Sequence, residues 1–132
     1  VRCVHSERIR PMPSERFVVD RDAATVLDRV TELVWQLGPA QPAVSWDEAV
    51  AYCERSQQRV PTLKELLTQI DHGQNEWPVD PLFMEPSADT ALFTRNVGRF
   101  GVRLYFSPNL AGVWDQTGVD NNQLEPYVRC VR

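Results

Sequence analysis

The residues best suited to bind a ligand lie in a polar loop near the C-terminus. The loop begins at Trp114, and its oxygen donors are Asp115, Asp120, Asn121, Asn122 and Glu125. Carboxylate and amide oxygens gathered in one loop are what a hard cation such as Ca²⁺ requires. The same residue types also favour ordinary turns, which is the simpler interpretation. Calcium therefore stays an open alternative, and we assign no metal ligand and no cofactor.

Groups that could perform catalysis are few. The two histidines are His5, in the N-terminal stretch, and His72, near the end of a predicted helix, and no serine or cysteine elbow motif accompanies them. A nucleophile with an adjacent base is therefore not supported. The three cysteines and two histidines are also too scattered to form a pair of zinc ligands. We expect a protein that is not an enzyme.

Composition indicates one globular domain. The chain has 132 residues, of which 42% are apolar and 24% are charged, and these are ordinary values for a folded domain with a core. The net charge of −4 argues against binding to nucleic acid, which requires a basic surface. The apolar runs are only a few residues long, so we expect no membrane span.

One tetrapeptide, Val-Arg-Cys-Val, occurs twice, as Val1–Val4 and as Val128–Val131. The first copy is either the closing strand of a preceding, similar domain or a strand that lies beside the last one in a single fold. The three cysteines Cys3, Cys53 and Cys130 are odd in number, which indicates a free thiol or a partner elsewhere. We divide the chain into an N-terminal segment, residues 1–16, and a domain, residues 17–132.

The elements that must position these residues can be read from the sequence pattern. Segments rich in β-branched and aromatic residues predict strands at 17–19, 25–28, 31–36, 91–95, 99–106, 113–114 and 127–132. In residues 99–106, apolar and polar side chains alternate, which predicts a strand with one buried and one polar face. Strands on both sides of a helical region indicate an α+β fold with an antiparallel sheet and a long loop region.

Two short helices are predicted from capping boxes. Ser45 and Glu48 form the first box, and the residues that then fall on one face at helical spacing are Trp46, Ala49, Val50 and Cys53. Thr62 and Glu65 form the second box. Its apolar stripe is Leu63, Leu66, Leu67 and Ile70, and Gly73 is placed to end that helix.

Four sequence blocks, in order along the chain, resemble the Lcl C-terminal domain family, which is named after the C-terminal domain of a collagen-like bacterial adhesin. The blocks are Thr-Glu-Leu-Val-Trp-Gln at 31–36, Ser-Trp-Asp-Glu-Ala-Val-Ala-Tyr-Cys at 45–53, Arg-Val-Pro-Thr-Leu-Lys-Glu-Leu at 59–66 and Val-Arg-Cys-Val-Arg at 128–132. The resemblance implies a C-type-lectin-like fold. It also implies a disulfide between Cys53 on the first helix and Cys130 on the last strand, hence an oxidising compartment and export from a bacterial cell.

The resemblance further suggests where a ligand would bind. Lectins of this fold hold calcium with a Glu-Pro pair and a Trp-Asn-Asp triplet, whereas here Trp114-Asp115 precedes Glu125-Pro126, so neither motif is matched. The adhesin domain is associated with sulfated polysaccharides, for which Arg95, Arg99 and Arg103 supply bidentate donors. A solvated polar strand face explains the same arginines more simply. Trp77 and Trp114 either stack on a sugar or anchor their loops.

The sequence as a whole predicts an exported binding or adhesion module that recognises a carbohydrate or a protein through its loop region. The candidate ligand-binding residues are Trp77, Arg95, Arg99, Arg103, Trp114, Asp115, Asp120, Asn121, Asn122 and Glu125. The alternative is a structural module that docks other domains of a bacterial cell-envelope complex. Neighbouring similar domains in the same parent chain are a further expected partner.

Overall fold

The computed structural model describes residues 15–70, 80–83, 90–98, 103–107, 112–115 and 125–132. Within 112–115 the description covers the backbone alone. Several predicted features therefore lie outside the described residues: Val1–Val4, His5, His72, Gly73, Trp77, Arg99, Asp120, Asn121 and Asn122.

The first strands form a three-stranded antiparallel sheet. Its strands are β1 (Phe17–Asp20), β2 (Thr25–Asp28) and β3 (Val34–Gln36), in that spatial order. The predicted strand at 31–36 begins only at Val34, because a turn precedes it: Glu32 has a φ of 61° and its N–H donates to the Asp28 carbonyl at 2.7 Å. Arg16, just before β1, donates two hydrogen bonds to the Asp28 carboxylate, at 3.0 and 2.7 Å.

Both predicted helices are present and begin at their predicted caps. Helix α1 is Trp46–Arg55, and its cap Ser45 accepts a hydrogen bond from the Glu48 N–H at 3.2 Å. Helix α2 is Leu63–Leu67, and its cap Thr62 forms the full capping box with Glu65. The structure corrects the length of the second helix, since its helical hydrogen bonding gives way to turns over Thr68 and Gln69.

The later strands form a second sheet of five strands. These are β4 (Gln41–Pro42), β5 (Thr90–Val97), β6 (Arg103–Ser107), β7 (Gly112–Asp115) and β8 (Glu125–Val128), in the spatial order β4-β8-β5-β6-β7. The fold is α+β with two sheets rather than one. The expectation of a purely antiparallel sheet is wrong at one place, since β8 lies parallel to β5. The chain passes through β6 and β7 on one side of β5 and then returns to its other side as β8.

The five-stranded sheet is covered on both faces, and this corrects the prediction of a polar face on β6. On one face Phe106 and Leu92 pack with Trp35, Leu66 and other core residues contributed by the first sheet and α2. On the other face Tyr105, Phe93 and Ala91 pack with Ala49 and Cys53 of α1. Alternation along β6 therefore marks two buried faces, with an aromatic side chain on each.

A closing segment, residues 129–132, joins the two sheets after β8. The N–H groups of Val34 and Gln36 in β3 donate to the carbonyls of Arg132 and Cys130, at 2.9 and 3.0 Å. On its other side Val131 exchanges two hydrogen bonds with Arg59, at 2.8 and 2.9 Å. The closing segment therefore continues the first sheet while β8 belongs to the second.

A disulfide joins Cys53 of α1 to Cys130 of the closing segment, as the resemblance predicted. Their Cα atoms are 5.4 Å apart and the two residues are 77 positions apart in sequence. Both side chains are fully buried. No helix within the described parts of the chain is long and apolar enough to cross a membrane.

Candidate functional site

An open groove lies between α1 and the end of β5 and has a volume of about 350 Å³. We name it the α1–β5 groove. Its lining residues are Trp46, Val50 and Glu54 of α1, Gln58, Arg59 and Val60 of the segment after α1, and Arg95 of β5. Trp46, Val50 and Glu54 are spaced four residues apart, so they share one face of the helix. The groove thus combines an aromatic and aliphatic wall with charged groups of both signs.

The aromatic wall of the groove is held rigidly in place. The Trp46 ring lies 6.3 Å from the Phe93 ring, measured between centroids. The Arg103 guanidinium carbon lies 3.6 Å from the centroid of Trp46, a close cation–π contact. Arg103 also donates to the Thr94 carbonyl at 3.3 Å, which fixes the guanidinium over the ring. One face of Trp46 is therefore covered, and Arg103 positions the tryptophan.

Arg59 is fixed at the groove by a bidentate ion pair. Its two terminal nitrogens donate to the two carboxylate oxygens of Glu65, at 2.9 and 2.6 Å. Glu65 also accepts from the Thr62 N–H at 2.7 Å. The hydrogen bond from Arg59 lowers the pKa of Glu65 to about 2, against the opposing effect of burial, and the same hydrogen bond raises the pKa of Arg59. Both groups stay charged at neutral pH, and their charges largely cancel.

Arg95 and Glu54 are the two charged groups of the groove that form no salt bridge with any described residue. The Arg95 backbone N–H donates to the Pro61 carbonyl at 2.8 Å, so β5 is tied to the segment that leads into α2. The next residue, Asn96, accepts from the Leu63 N–H at 2.7 Å through its side-chain oxygen. The Arg95 side chain itself is exposed and forms no salt bridge with any described residue. A guanidinium held this way can bind a planar anionic group through two parallel hydrogen bonds.

Gln58 contributes a neutral amide side chain to the lining of the groove. Its Oε1 accepts from the Ser56 hydroxyl at 3.2 Å, whereas its Nε2 is buried and has no hydrogen-bond partner among the residues that the structure describes. A buried donor without an acceptor is unfavourable by about 1–3 kcal/mol. An acceptor on a ligand, or a water, would therefore be stabilised at this position.

A second cavity, of about 280 Å³, also has Gln58 in its lining. It is lined by Ala23, Ala24, Thr25, Gln36, Leu37, Tyr52, Ser56, Gln58 and Arg132. Its main polar groups already bond to one another, since the Gln36 amide donates to the Tyr52 hydroxyl at 3.0 Å and accepts from the Cys130 N–H at 3.3 Å. We therefore regard it as a structural cavity.

The structure brings together two of the predicted site residues. Arg95 and Arg103, on neighbouring strands, both lie at Trp46. Glu125 is exposed and pairs with Thr90 at the start of β5, five residues from Arg95, which corresponds to about 17 Å along a strand. Trp114 and Asp115 lie on β7, opposite Tyr105 and Leu104 of β6. The remaining predicted residues lie outside the described ranges.

Sequence reasoning missed most of the groove: Val50, Glu54, Gln58, Arg59 and Val60. Trp46 and Val50 were predicted on one face of the first helix, but a large apolar residue on a helix face more often packs into a core than lines a ligand site. The contribution of Arg95 depends on how β5 docks against Pro61, a long-range contact with no sequence signal. Within the described ranges no three His, Cys, Asp or Glu side chains converge on a metal-binding position.

Comparison of the chain with protein-family models, with curated proteins and with solved structures finds no match.

Proposed function

We propose that this protein is a non-catalytic, exported binding module with a C-type-lectin-like fold, which recognises a carbohydrate or a protein. The α1–β5 groove is the proposed site. The proposal follows the chemistry of its lining. Arg95 and Glu54 form no salt bridge with any described residue, the buried Gln58 Nε2 has no acceptor among them, and Trp46 and Val50 form a fixed apolar wall. These groups can bind and orient a ligand, whereas none of them is paired as a nucleophile and a base.

The single observation that carries the proposal is the setting of Arg95. Its guanidinium is exposed next to Trp46 and Val50, and it has no salt bridge among the described residues. A ligand that places an acidic group on Arg95 can bury its less polar portion against the wall of α1. Such pairing of an apolar surface with a few fixed polar groups is typical of small-ligand and glycan sites.

The order of the elements and the disulfide support the fold and the export. Strands come first, two short helices follow, and a disulfide joins the first helix to the closing segment. This is the arrangement that the resemblance to the Lcl C-terminal domain family implies. Structural disulfides persist in oxidising compartments, which is why we infer export to the periplasm, the cell surface or the medium.

A glycan array, run with calcium and again with a chelator, tests the proposal. We expect specific glycan hits for the unaltered protein that weaken at least tenfold in Arg95→Glu, because the charge reversal repels an acidic group. Arg21→Glu is the matched control, since Arg21 is exposed on the turn after β1 and does not line the groove. Equal binding by Arg95→Glu and the unaltered protein would exclude the groove.

A protein partner is the second candidate, and two exposed apolar side chains near the groove favour it. Val44, two residues before Trp46, is 86% exposed, and Val97, two residues after Arg95, is 51% exposed. A protein that covered both side chains would remove their apolar surface from water, which favours association. This assembly role would be supported by two results together: no binding to any glycan on the array, and capture of a cell-envelope protein by the unaltered chain but not by Arg95→Glu.

A further inference from the structure

The α1–β5 groove carries one positive and one negative side chain that the described fold does not pair. Arg95 and Glu54 both line the groove, and both are exposed. Neither forms a salt bridge with any described residue, so they do not pair with each other across the groove. The remaining charged group of the lining, Arg59, is already neutralised by Glu65. The groove therefore presents one unneutralised charge of each sign.

These two charges are held on different elements that share one core. Glu54 lies eight residues after Trp46 on α1, which corresponds to about 12 Å along the helix axis. Arg95 belongs to β5, whose backbone is tied to the Pro61 carbonyl at this residue. Buried side chains of α1 and β5 pack together in one hydrophobic cluster beneath the groove. The charges are therefore fixed relative to each other before any partner arrives.

Exposed aliphatic side chains adjoin the same groove. Val97 is 51% exposed and pairs across the sheet with Arg103, whose guanidinium covers Trp46. Val44, two residues before Trp46, is 86% exposed. A second surface that covered these side chains would remove apolar area from water. The surface around the groove thus offers apolar contact beside its two charges.

A surface with one fixed charge of each sign is complementary to a second copy of itself. In a two-fold symmetric dimer every contact between two different residues occurs twice, with the two copies exchanging roles. We propose that two copies of this chain associate through the α1–β5 groove, with Arg95 of each copy paired with Glu54 of the other. Val44 and Val97 supply apolar contact at the edge of this interface.

Self-association through the groove rests on the proposed function, since it names a second copy of the chain as the protein partner of the same site. Two reciprocal ion pairs neutralise all four charges, whereas a surface of a single sign would repel its own copy. A ligand that places an acidic group on Arg95 must displace Glu54 of the second copy. Ligand binding and self-association therefore compete for the groove.

Sedimentation equilibrium of the unaltered chain, with no ligand present, is the first test. We expect the average mass to rise from that of a monomer towards that of a dimer between about 10 μM and about 1 mM protein, as for a small and partly polar interface. A chain that stays monomeric at about 1 mM would overturn the inference.

Two single charge reversals separate reciprocal pairing from the effect of overall charge. Arg95→Glu puts a carboxylate opposite Glu54 of the second copy, and Glu54→Arg puts a guanidinium opposite Arg95. Each variant alone should therefore associate more weakly by about tenfold or more, because like charges meet at the interface. Each reversal changes the net charge of −4 by two units, to −6 in Arg95→Glu and to −2 in Glu54→Arg. Overall repulsion alone would weaken association of the first variant and strengthen that of the second.

An equal mixture of the two variants should restore association. One variant then supplies two carboxylates and the other supplies two guanidinium groups, so both ion pairs form again between them. We expect a heterodimer at least as tight as the unaltered homodimer. Arg21→Glu and Glu32→Arg are the matched controls, since both residues are exposed and neither lines the groove. Each control variant should associate as the unaltered chain does.

The outcomes distinguish self-association from the proposed function. A mixture that fails to associate, or control variants that lose association as strongly as the groove variants, would overturn the reciprocal pairing. A monomeric chain whose glycan binding is weakened by Arg95→Glu would overturn self-association and leave the proposed function standing. A monomeric chain that bound no glycan and captured no other protein would overturn both.

Discussion

At the scale of single residues, Glu65 links helix formation to the groove. One carboxylate completes the capping box of α2 and holds both terminal nitrogens of Arg59, which lines the groove. The capping role could be predicted from the Thr62–Glu65 spacing. The pairing with Arg59 could not, because the two residues are six positions apart across the start of α2, and only the folded turn before the helix brings their side chains together.

The dependence of stability on pH should expose this carboxylate. The pKa of Glu65 is about 2 in the folded protein, against an ordinary value of 4.5. A lowered pKa stabilises the folded state fully above pH 4.5, and this stabilisation is lost as the pH falls from 4.5 towards 2. In Glu65→Gln the fall in the free energy of unfolding between pH 4.5 and 2 should be smaller, because the carboxylate that titrates is gone. At pH 7 the variant should be less stable by about 1 kcal/mol, a modest loss because solvent partly screens the ion pair.

Urea unfolding at several pH values between 2.5 and 7 measures this effect. Glu32→Gln is the control, since Glu32 is exposed and forms no salt bridge among the described residues. Parallel stability curves for Glu65→Gln and the unaltered protein would show that the ion pair contributes nothing to acid sensitivity.

Asp28 illustrates a residue whose role no sequence pattern indicates. Burial alone raises the pKa of this carboxyl group. The overall shift is nevertheless downward, because the carboxylate accepts hydrogen bonds from Arg16, the Val30 N–H and Thr31 and lies near the positive charge of Arg16. Arg16 also donates to the Thr68 carbonyl at 2.7 Å, so it connects β2 to the end of α2. Elements this distant in sequence meet only through the tertiary fold, so the pair could be found only in the structure.

At the scale of elements, the start of α2 depends on Thr62. Its side chain accepts from the Glu65 N–H at 3.2 Å. Thr62→Ala should lower the free energy of unfolding by about 1 kcal/mol, because one helix donor loses its acceptor. Thr62→Ser keeps the hydroxyl and should leave stability within about 0.5 kcal/mol of the unaltered protein. Equal losses in the two variants, measured by urea unfolding, would assign the effect to the methyl group instead of the cap.

Strand positions were predictable, but which face is buried was not. Residues 103–106 alternate in polarity, and a strand was predicted correctly there. The prediction of one polar face was wrong because α1 covers the face that carries Tyr105, while the first sheet and α2 cover the face that carries Phe106. Local alternation reports the period of a strand, whereas the number of covered faces depends on elements far away in sequence.

The disulfide fixes α1 to the closing segment, and its removal should be costly. For a closed loop of 77 residues, the loss of loop-closure entropy predicts a stabilisation of about 4 kcal/mol. Cys53→Ala with Cys130→Ala should therefore lower the free energy of unfolding by about that amount in urea. Ala51→Ser, an exposed change on the same helix, is the control and should change it by no more than about 0.5 kcal/mol. A loss below about 1 kcal/mol in the double variant would contradict a structural role for the bridge.

At the scale of the whole molecule, the closing segment makes the two sheets one cooperative unit. Cys130 belongs to the core on the α1 side of the five-stranded sheet, and Val131 belongs to the core on the other side. The same segment supplies hydrogen bonds to β3 and to Arg59. The first sheet therefore cannot separate from the second without breaking contacts in both cores.

Hydrogen exchange can test this cooperativity through Arg129. Its guanidinium donates to the carbonyls of Gln36 and Gly38, so Arg129→Met should destabilise the fold by about 2 kcal/mol by leaving buried acceptors unpaired. In a cooperative molecule the most protected amides of β2 and of β5 exchange through the same global opening, so both sets should lose about 2 kcal/mol of protection together. Loss of protection in β2 alone, with β5 unchanged, would contradict this. It would show that the first sheet opens on its own and that the closing segment does not couple the two sheets.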